Sequence, residues 1–371
     1  MRALIAMSGG VDSSAAAQVM TDRGYECVGC TMKLFAPSDL KPAGFYGTGG
    51  SEKAGGSEAA GAAPGNTDAI EEARGVTQRI GMPYYVLHCE EAFRKHVIEP
   101  FIEAYENGHT PNPCLECNRC LKFGGLYEKM KELGCDCLVT GHYARVGFDE
   151  ASGRWQLRKA ADPGKDQSYF LYTLTQEQLA HVQFPMGDKT KSEAREVAAQ
   201  AGFHNAGRKD SQDICFVPDG DYAGFIEHYS GKTYPPGDFV DADGNVLGRH
   251  KGIIHYTLGQ RRGLGIPAAA RLYVTKIDPE ENRVVLGSNE DLFGRELSVR
   301  RANLIAVPRI EGELRCMVKI RSRHKEQPAV VTQTGDDTLR VVFDEPQRAI
   351  TPGQAAVLYD GDLVIGGGII E

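Results

Sequence analysis

Residues 8–14 read Ser8-Gly9-Gly10-Val11-Asp12-Ser13-Ser14, directly after an apolar run at residues 3–7 and directly before a helical stretch at residues 15–23. The order is strand, tight loop, helix. Two adjacent glycines let backbone approach a ligand closely, and hydroxyls with N–H groups at a helix start form an anion cradle with a favourable dipole. The expected guest is a phosphate chain. The Gly-x-x-x-x-Gly-Lys-Ser/Thr spacing of an ordinary P-loop is absent and the loop holds no lysine, which disfavours γ-phosphoryl transfer of the usual kind. A glycine turn capped by Ser13 at a helix start is the purely structural alternative.

Sulfur chemistry has its own stretch. Residues 109–123 form a proline-stiffened loop running into a helix, with Cys114, Cys117 and Cys120 at regular spacing and Arg119 and Lys122 beside them. A helix start and nearby cations favour the thiolate, so a reactive or metal-bound sulfur is expected. A structural Zn²⁺ on these three cysteines is the plainer reading, although zinc sites usually complete four ligands. Cys215, between Ile214 and Phe216, reads alone as a small core residue. Cys27, Cys30, Cys89, Cys135, Cys137 and Cys316 sit mostly in apolar runs and read as core.

These residues need a frame to position them, and 371 residues exceed one ordinary core. Ten cysteines in that length are too sparse for a disulfide scaffold. No apolar run reaches the ~20 residues that cross a bilayer, and a strand starts at once, so a cytoplasmic protein without membrane contact is expected. The net charge of −8 argues against coating nucleic acid by bulk attraction. Locally, residues 295–325 carry nine Lys or Arg against Glu296, Glu311 and Glu313, a patch where a polyanion could dock.

Apolar runs at residues 3–7, 27–32, 84–89 and 135–140 alternate with helical patterns at 13–23, 67–80, 91–106 and 122–133. That alternation specifies an α/β fold, a doubly wound parallel sheet whose ligands sit at the carboxyl ends of the strands. Residues 36–66, with eight glycines between Gly44 and Gly65, cannot bury enough apolar area to order themselves and read as a mobile lid or a tolerated insertion. Beyond about residue 203 short β-rich runs alternate with turns, and from residue 297 they recur at the spacing of a small barrel. The expected organisation is an α/β domain at 1–205, a small central domain at 206–292 and a C-terminal β-barrel at 293–371.

The loop resembles the pyrophosphatase loop (PP-loop) of N-type ATP enzymes, which cleave ATP between its α and β phosphates and adenylate an acceptor oxygen. With the cysteine segments it makes the chain resemble the tRNA-specific 2-thiouridylases, of adenine nucleotide α-hydrolase-like fold. The likeness runs along nearly the whole chain: residues 8–14, the Thr-Pro-Asn-Pro-Cys-Leu-Glu-Cys-Asn run, Thr140-Gly141-His142-Tyr143, Lys165-Asp166-Gln167-Ser168-Tyr169-Phe170-Leu171, Cys215 with its flanks, residues 258–265 and Thr351-Pro352-Gly353-Gln354.

The resemblance implies ATP-dependent adenylation of the C2 oxygen of uridine 34 in tRNA, then replacement by sulfur, with release of AMP and pyrophosphate. By the same likeness Ser8, Gly9, Gly10, Val11, Asp12, Ser13, Ser14, Met32 and Gly141 bind ATP, with Asp12 the partner of Mg²⁺. Cys117 matches the nucleophile and Cys215 the persulfide carrier. Cys114 stands where many relatives have aspartate, and members with cysteine there are thought to hold a [4Fe-4S] cluster through Cys114, Cys117 and Cys215. The competing route is metal-free: Cys215 takes a persulfide from a donor protein and ends in a disulfide with Cys117. His142, Lys165, Asp166, Gln167, Arg261, Arg262, Arg321 and Gln354 are the implied tRNA contacts, with Lys, Glu and Gln acceptors as substrates and a monomer as the working form. Ser322, where the family usually has tyrosine, removes a stacking contact.

Two other classes compete. An ATP-dependent ligase of the argininosuccinate or GMP synthetase type keeps the loop but leaves the three cysteines without work. A non-catalytic RNA-binding module leaves Asp12 idle as well.

Overall fold

The computed structural model describes residues 1–35, 67–208, 213–267 and 270–371. The glycine-rich stretch 36–66 lies outside the described residues. The chain divides into two compact units, Met1–Val97 with Cys114–Asp221, and Ile98–Pro113 with Tyr222–Glu371.

In the first unit β1 (Arg2–Ala6), β2 (Glu26–Lys33), β3 (Tyr84–His88), β4 (Cys137–Val139) and β7 (Val182–Gln183) form a parallel sheet in the order β3-β2-β1-β4-β7. The hairpin β5 (Arg145–Asp149) and β6 (Arg154–Arg158) lies between β4 and β7 in sequence. Central strands read as unbroken apolar runs because both faces are covered: Ala3, Leu4, Ile5 and Val28 are fully buried. Strand order turns outward from β1 on both sides, so the switch point lies at the carboxyl ends of β1 and β4, where open α/β sheets bind ligands.

Helix α1 (Val11–Asp22) follows β1 and α2 (Thr67–Ile80) precedes β3. Two expected helices are interrupted. Residues 90–106 contain a π-helical turn at Arg94–Ile98, and the cysteine segment is a π-helix at Cys117–Gly125 that continues as an α-helix at Leu126–Glu132. Such widened turns re-aim side chains and concentrate at functional sites.

In the second unit β8 (Gly237–Val240), β9 (Val246–His250), β10 (Tyr273–Asp278) and β11 (Arg283–Gly287) form a sheet ordered β10-β11-β8-β9. Six further strands, β12 (Phe293–Leu304), β13 (Glu313–Lys319), β14 (Gln327–Gln333), β15 (Leu339–Arg348), β16 (Ala355–Asp360) and β17 (Leu363–Ile370), pair in the order β12-β15-β14-β13-β16-β17. Pairing of β12 with β17 closes them into an antiparallel barrel. Closure removes both edges, and alternate residues such as Val299, Val318, Val331, Val341 and Leu358 fill the interior.

Candidate active site

The loop after β1 is built as a cradle. Gly10 caps α1 without any side-chain cap hydrogen bond. Ser13 therefore does not cap the helix; its Oγ donates to Gly10 O at 2.9 Å and accepts from Ser8 N at 3.2 Å, bracing the loop from inside. Ser14 Oγ donates to Gly10 O at 3.1 Å. Gly9 takes φ +74°, and a Cβ there would stand 2.7 Å from Ala69 O. From the other side of the switch point Gly141 closes on α1: a Cβ on it would lie 2.7 Å from Asp12 C and Ser13 N. Each glycine is required by a close backbone approach.

Between these loops opens a cavity of about 240 Å³. Ser8, Asp12, Ser13, Met32, Gly141, His142 and Gln167 line it, together with Cys30, Thr31, Lys122 and Thr140. Seven residues singled out in the sequence thus share one cavity. Lys165 and Asp166 lie on the adjoining loop, where Asp166 accepts from Ala160 N at 3.0 Å and from Ser168 Oγ at 2.9 Å. Gln167 accepts from Tyr143 N at 3.0 Å through Oε1, so its acceptor end is engaged by backbone.

Three partners of the loop were missed in the sequence. Lys191 Nζ sits 2.8 Å from both carboxylate oxygens of Asp12, supplying the cation that the loop's own residues lack. Tyr143 OH donates to Asp12 Oδ1 at 2.6 Å. Asn205, 3% exposed, donates Nδ2 to Gly9 O at 3.0 Å and to Ser14 Oγ at 2.9 Å. One signal was legible: Lys191 opens a helix capped by a Thr190–Glu193 box, where a cation opposes the dipole by about 0.3–1 kcal/mol.

His142 occupies one wall, its Nδ1 2.7 Å from Thr140 Oγ1 and its Nε2 3.4 Å from Lys122 Nζ. Phe123 and Phe184 pack against the ring. Burial, then the Lys122 charge, hold this histidine well below its ordinary value, so it is neutral.

The sulfurs sit in the same unit. Cys117 begins the π-helix and is buried; Cys215 is half-buried on a turn fixed by Phe216, which lies 1% exposed with its ring edge-on to Phe93 at 5.6 Å. Against the expected thiolate, burial pushes Cys117 up to about 11 and raises Cys215 as well. Lys122 is the cation that works against this at both thiols. Helix-start and charge effects lose here to desolvation.

No disulfide joins any of the ten cysteines, and the implied Cys117–Cys215 pair stands as two thiols. Among the described residues no group of three or more His, Cys, Asp or Glu side chains gathers as metal ligands. Cys114 is exposed where Cys117 is buried. The remaining sequence candidates belong to the second unit. Arg261 and Arg262 are exposed, Arg321 Nη2 donates to Arg348 O at 2.7 Å, and Gln354 Nε2 donates to Thr110 O at 2.7 Å.

Fold and site together define a class: an α/β ATP-loop domain with paired thiols, followed by two β modules. Residues 1–219 match the family described as tRNA methyl transferase HUP domain, residues 223–288 its PRC-barrel domain, and residues 294–370 the aminomethyltransferase beta-barrel domain. The chain is 46% identical over 370 residues to the tRNA-specific 2-thiouridylase MnmA of Clostridioides difficile, covering 100% of this chain and 98% of that one. It is 44% identical to the tRNA-specific 2-thiouridylase MnmA of Acetivibrio thermocellus, covering 100% and 99%. It is 45% identical to tRNA-specific 2-thiouridylase MnmA 1 of Caldanaerobacter subterraneus subsp. tengcongensis, covering 100% and 98%. The chain belongs to the tRNA-specific 2-thiouridylase family. Among the described residues no helix is long and apolar enough to cross a membrane.

Proposed function

We propose that this chain thiolates the 2-position of uridine 34 in a cytoplasmic tRNA, with Lys, Glu and Gln acceptors as substrates. A uracil carbonyl oxygen is a poor leaving group, and adenylation makes it a good one. The 2-oxygen attacks the α-phosphorus of ATP and the α–β bridge breaks with its electron pair passing to pyrophosphate. Sulfur then attacks C2, and the C–O bond breaks with its pair passing to AMP. Residues 8–14 hold the phosphate chain through backbone N–H groups and hydroxyls, and Met32 and Gly141 border the adenosine. Asp12 with phosphate oxygens is a donor set suited to Mg²⁺, which offsets phosphate charge when bound.

Cys215 carries the incoming sulfur as a persulfide taken from a donor protein; Cys117 attacks its inner sulfur, the S–S bond breaks with its pair passing to the outer sulfur that attacks C2, and the Cys117–Cys215 disulfide so formed is returned to thiols by an external dithiol reductant. His142, Lys165, Asp166 and Gln167 face the extruded base and its neighbours, while Arg261, Arg262, Arg321 and Gln354 contact the rest of the tRNA, giving salt-sensitive binding. The division of labour is an ATP part at 1–205, a central RNA-docking part at 206–292 and the barrel at 293–371.

One observation carries the reading: Lys122 lines the cavity of the phosphate loop and acts electrostatically on Cys117 and Cys215. On this reading activation and sulfur delivery share one site, with Lys122 between them. The test supplies the full chain with an unmodified tRNA transcript, ATP, Mg²⁺, a persulfide donor and a dithiol reductant. The expected result is 2-thiouridine in the nucleoside digest with one AMP released per sulfur. AMP release that requires ammonia or aspartate, with no sulfur in the RNA, would replace it by the ligase reading. Methyl transfer, named in the description of the matched family, leaves both the phosphate loop and the thiols without work.

A further inference from the structure

The phosphate loop has no lysine of its own, yet the fold delivers one to it. Lys191 approaches both oxygens of Asp12 at 2.8 Å, and its side chain is 12% exposed against 30% for Asp12. Neither neighbour explains the placement. Its own helix is already closed by the Thr190–Glu193 capping box and is opposed by a cation in its first turn. Asp12 already receives the Tyr143 hydroxyl at 2.6 Å. What the ammonium does have is position: it stands against Asp12, a residue of the first turn of α1 that lines the cavity of the loop.

We propose that Lys191 is a pyrophosphate-binding residue, held by Asp12 until substrate arrives and released to the β and γ phosphates when Asp12 turns to the substrate's Mg²⁺. The proposal rests on the ATP reading above. The ion pair offsets the Asp12 charge, so a phosphate chain is not repelled on entry, and the exchange of partners leaves each charge satisfied once the chain is bound. A lysine from residue 191 thus does for this loop what a lysine inside the sequence motif does for an ordinary P-loop.

The test is equilibrium binding of inorganic pyrophosphate, without metal, to the full chain by calorimetry. Four proteins are compared: unchanged, Asp12→Asn, Lys191→Gln and the double variant. Asp12→Asn is expected to bind several-fold more tightly than the unchanged chain, because repulsion is gone and the ammonium is released. Adding Lys191→Gln to Asp12→Asn is expected to weaken binding at least tenfold, and Lys191→Arg in that background to restore most of it. Asp12→Asn takes the carboxylate from a largely buried ammonium, so the urea midpoint of each variant is measured alongside and binding is compared only under conditions where all four are folded. Equal binding by Asp12→Asn and the double variant makes Lys191 a mere counter-ion of Asp12 and overturns the proposal alone. Absence of pyrophosphate and ATP binding by the unchanged chain overturns the ATP reading with it.

Discussion

Asn205 donates its side-chain amide to the carbonyl of Gly9 at 3.0 Å, tying the tightest bend of the phosphate loop to a residue 196 positions later. The same amide reaches Ser14 Oγ at 2.9 Å, so one buried group braces both ends of the bend. Replacing it by alanine leaves a carbonyl and a hydroxyl buried without this donor, worth about 1–3 kcal/mol. Asn205→Ala is expected to lower the denaturant midpoint accordingly and to raise the KM for ATP more than it lowers kcat. An unchanged midpoint would show that the loop holds its shape unaided.

Gly141 is the point where the two ligand-binding loops touch. A methyl there meets backbone atoms of Asp12 and Ser13 at 2.7 Å, and backbone yields less readily than a side chain. Gly141→Ala is expected to shift α1 away from the β4 loop, lower stability by about 1–3 kcal/mol and abolish detectable ATP binding by calorimetry.

The thiols make a pH prediction. With Cys117 pushed up to about 11, its thiolate fraction grows tenfold per pH unit throughout the range from 7 to 10. Site-resolved alkylation by iodoacetamide is expected to follow that slope without a plateau. Lys122→Met removes the lowering charge and should slow alkylation of Cys117 and Cys215 at fixed pH. A plateau below pH 9 would show that the thiol is activated in the resting protein.

His142 gives a stability prediction of opposite dependence. Its folded value is depressed by burial, so below the ordinary histidine value near 6.5 the unfolded chain takes up a proton that the folded chain refuses. Stability is fully present above about pH 6.5 and declines as pH falls toward the folded value, by up to about 1.4 kcal/mol per unit from this group. His109, His250 and His324 are lowered too, so His142→Gln should reduce the slope between pH 6.5 and 5 without removing it. Urea unfolding at stepped pH reads the difference.

Much of the frame was legible because its signals are local. The apolar runs of β1 and β2 read as strands covered on both faces, and Ser8 to Ser14 stand between strand and helix in the order an anion cradle needs. Alternating residues of β14 and β15 likewise announce a sheet with one buried face. The π-helical turn at Cys117–Gly125 was not legible, since it differs from an α-helix by one residue in register and carries no composition of its own. The protonation state of Cys117 misled for a related reason: nearby cations and a helix start are visible in a sequence, whereas the depth of burial that outweighs them is not.

Residue order alone determined the phosphate cradle, the cysteine segments and the succession of an α/β part by β modules, because strand, turn and helix preferences act over a few residues. Which side chains complete the cradle was decided only by the fold. Lys191, Tyr143 and Asn205 are ordinary residues of a helix start, a loop and a turn until the parallel sheet, ordered from β1 outward, carries their backbones to the end of β1. A hydrogen bond or an ion pair depends on distance in space, and distance in space is what a linear chain leaves open.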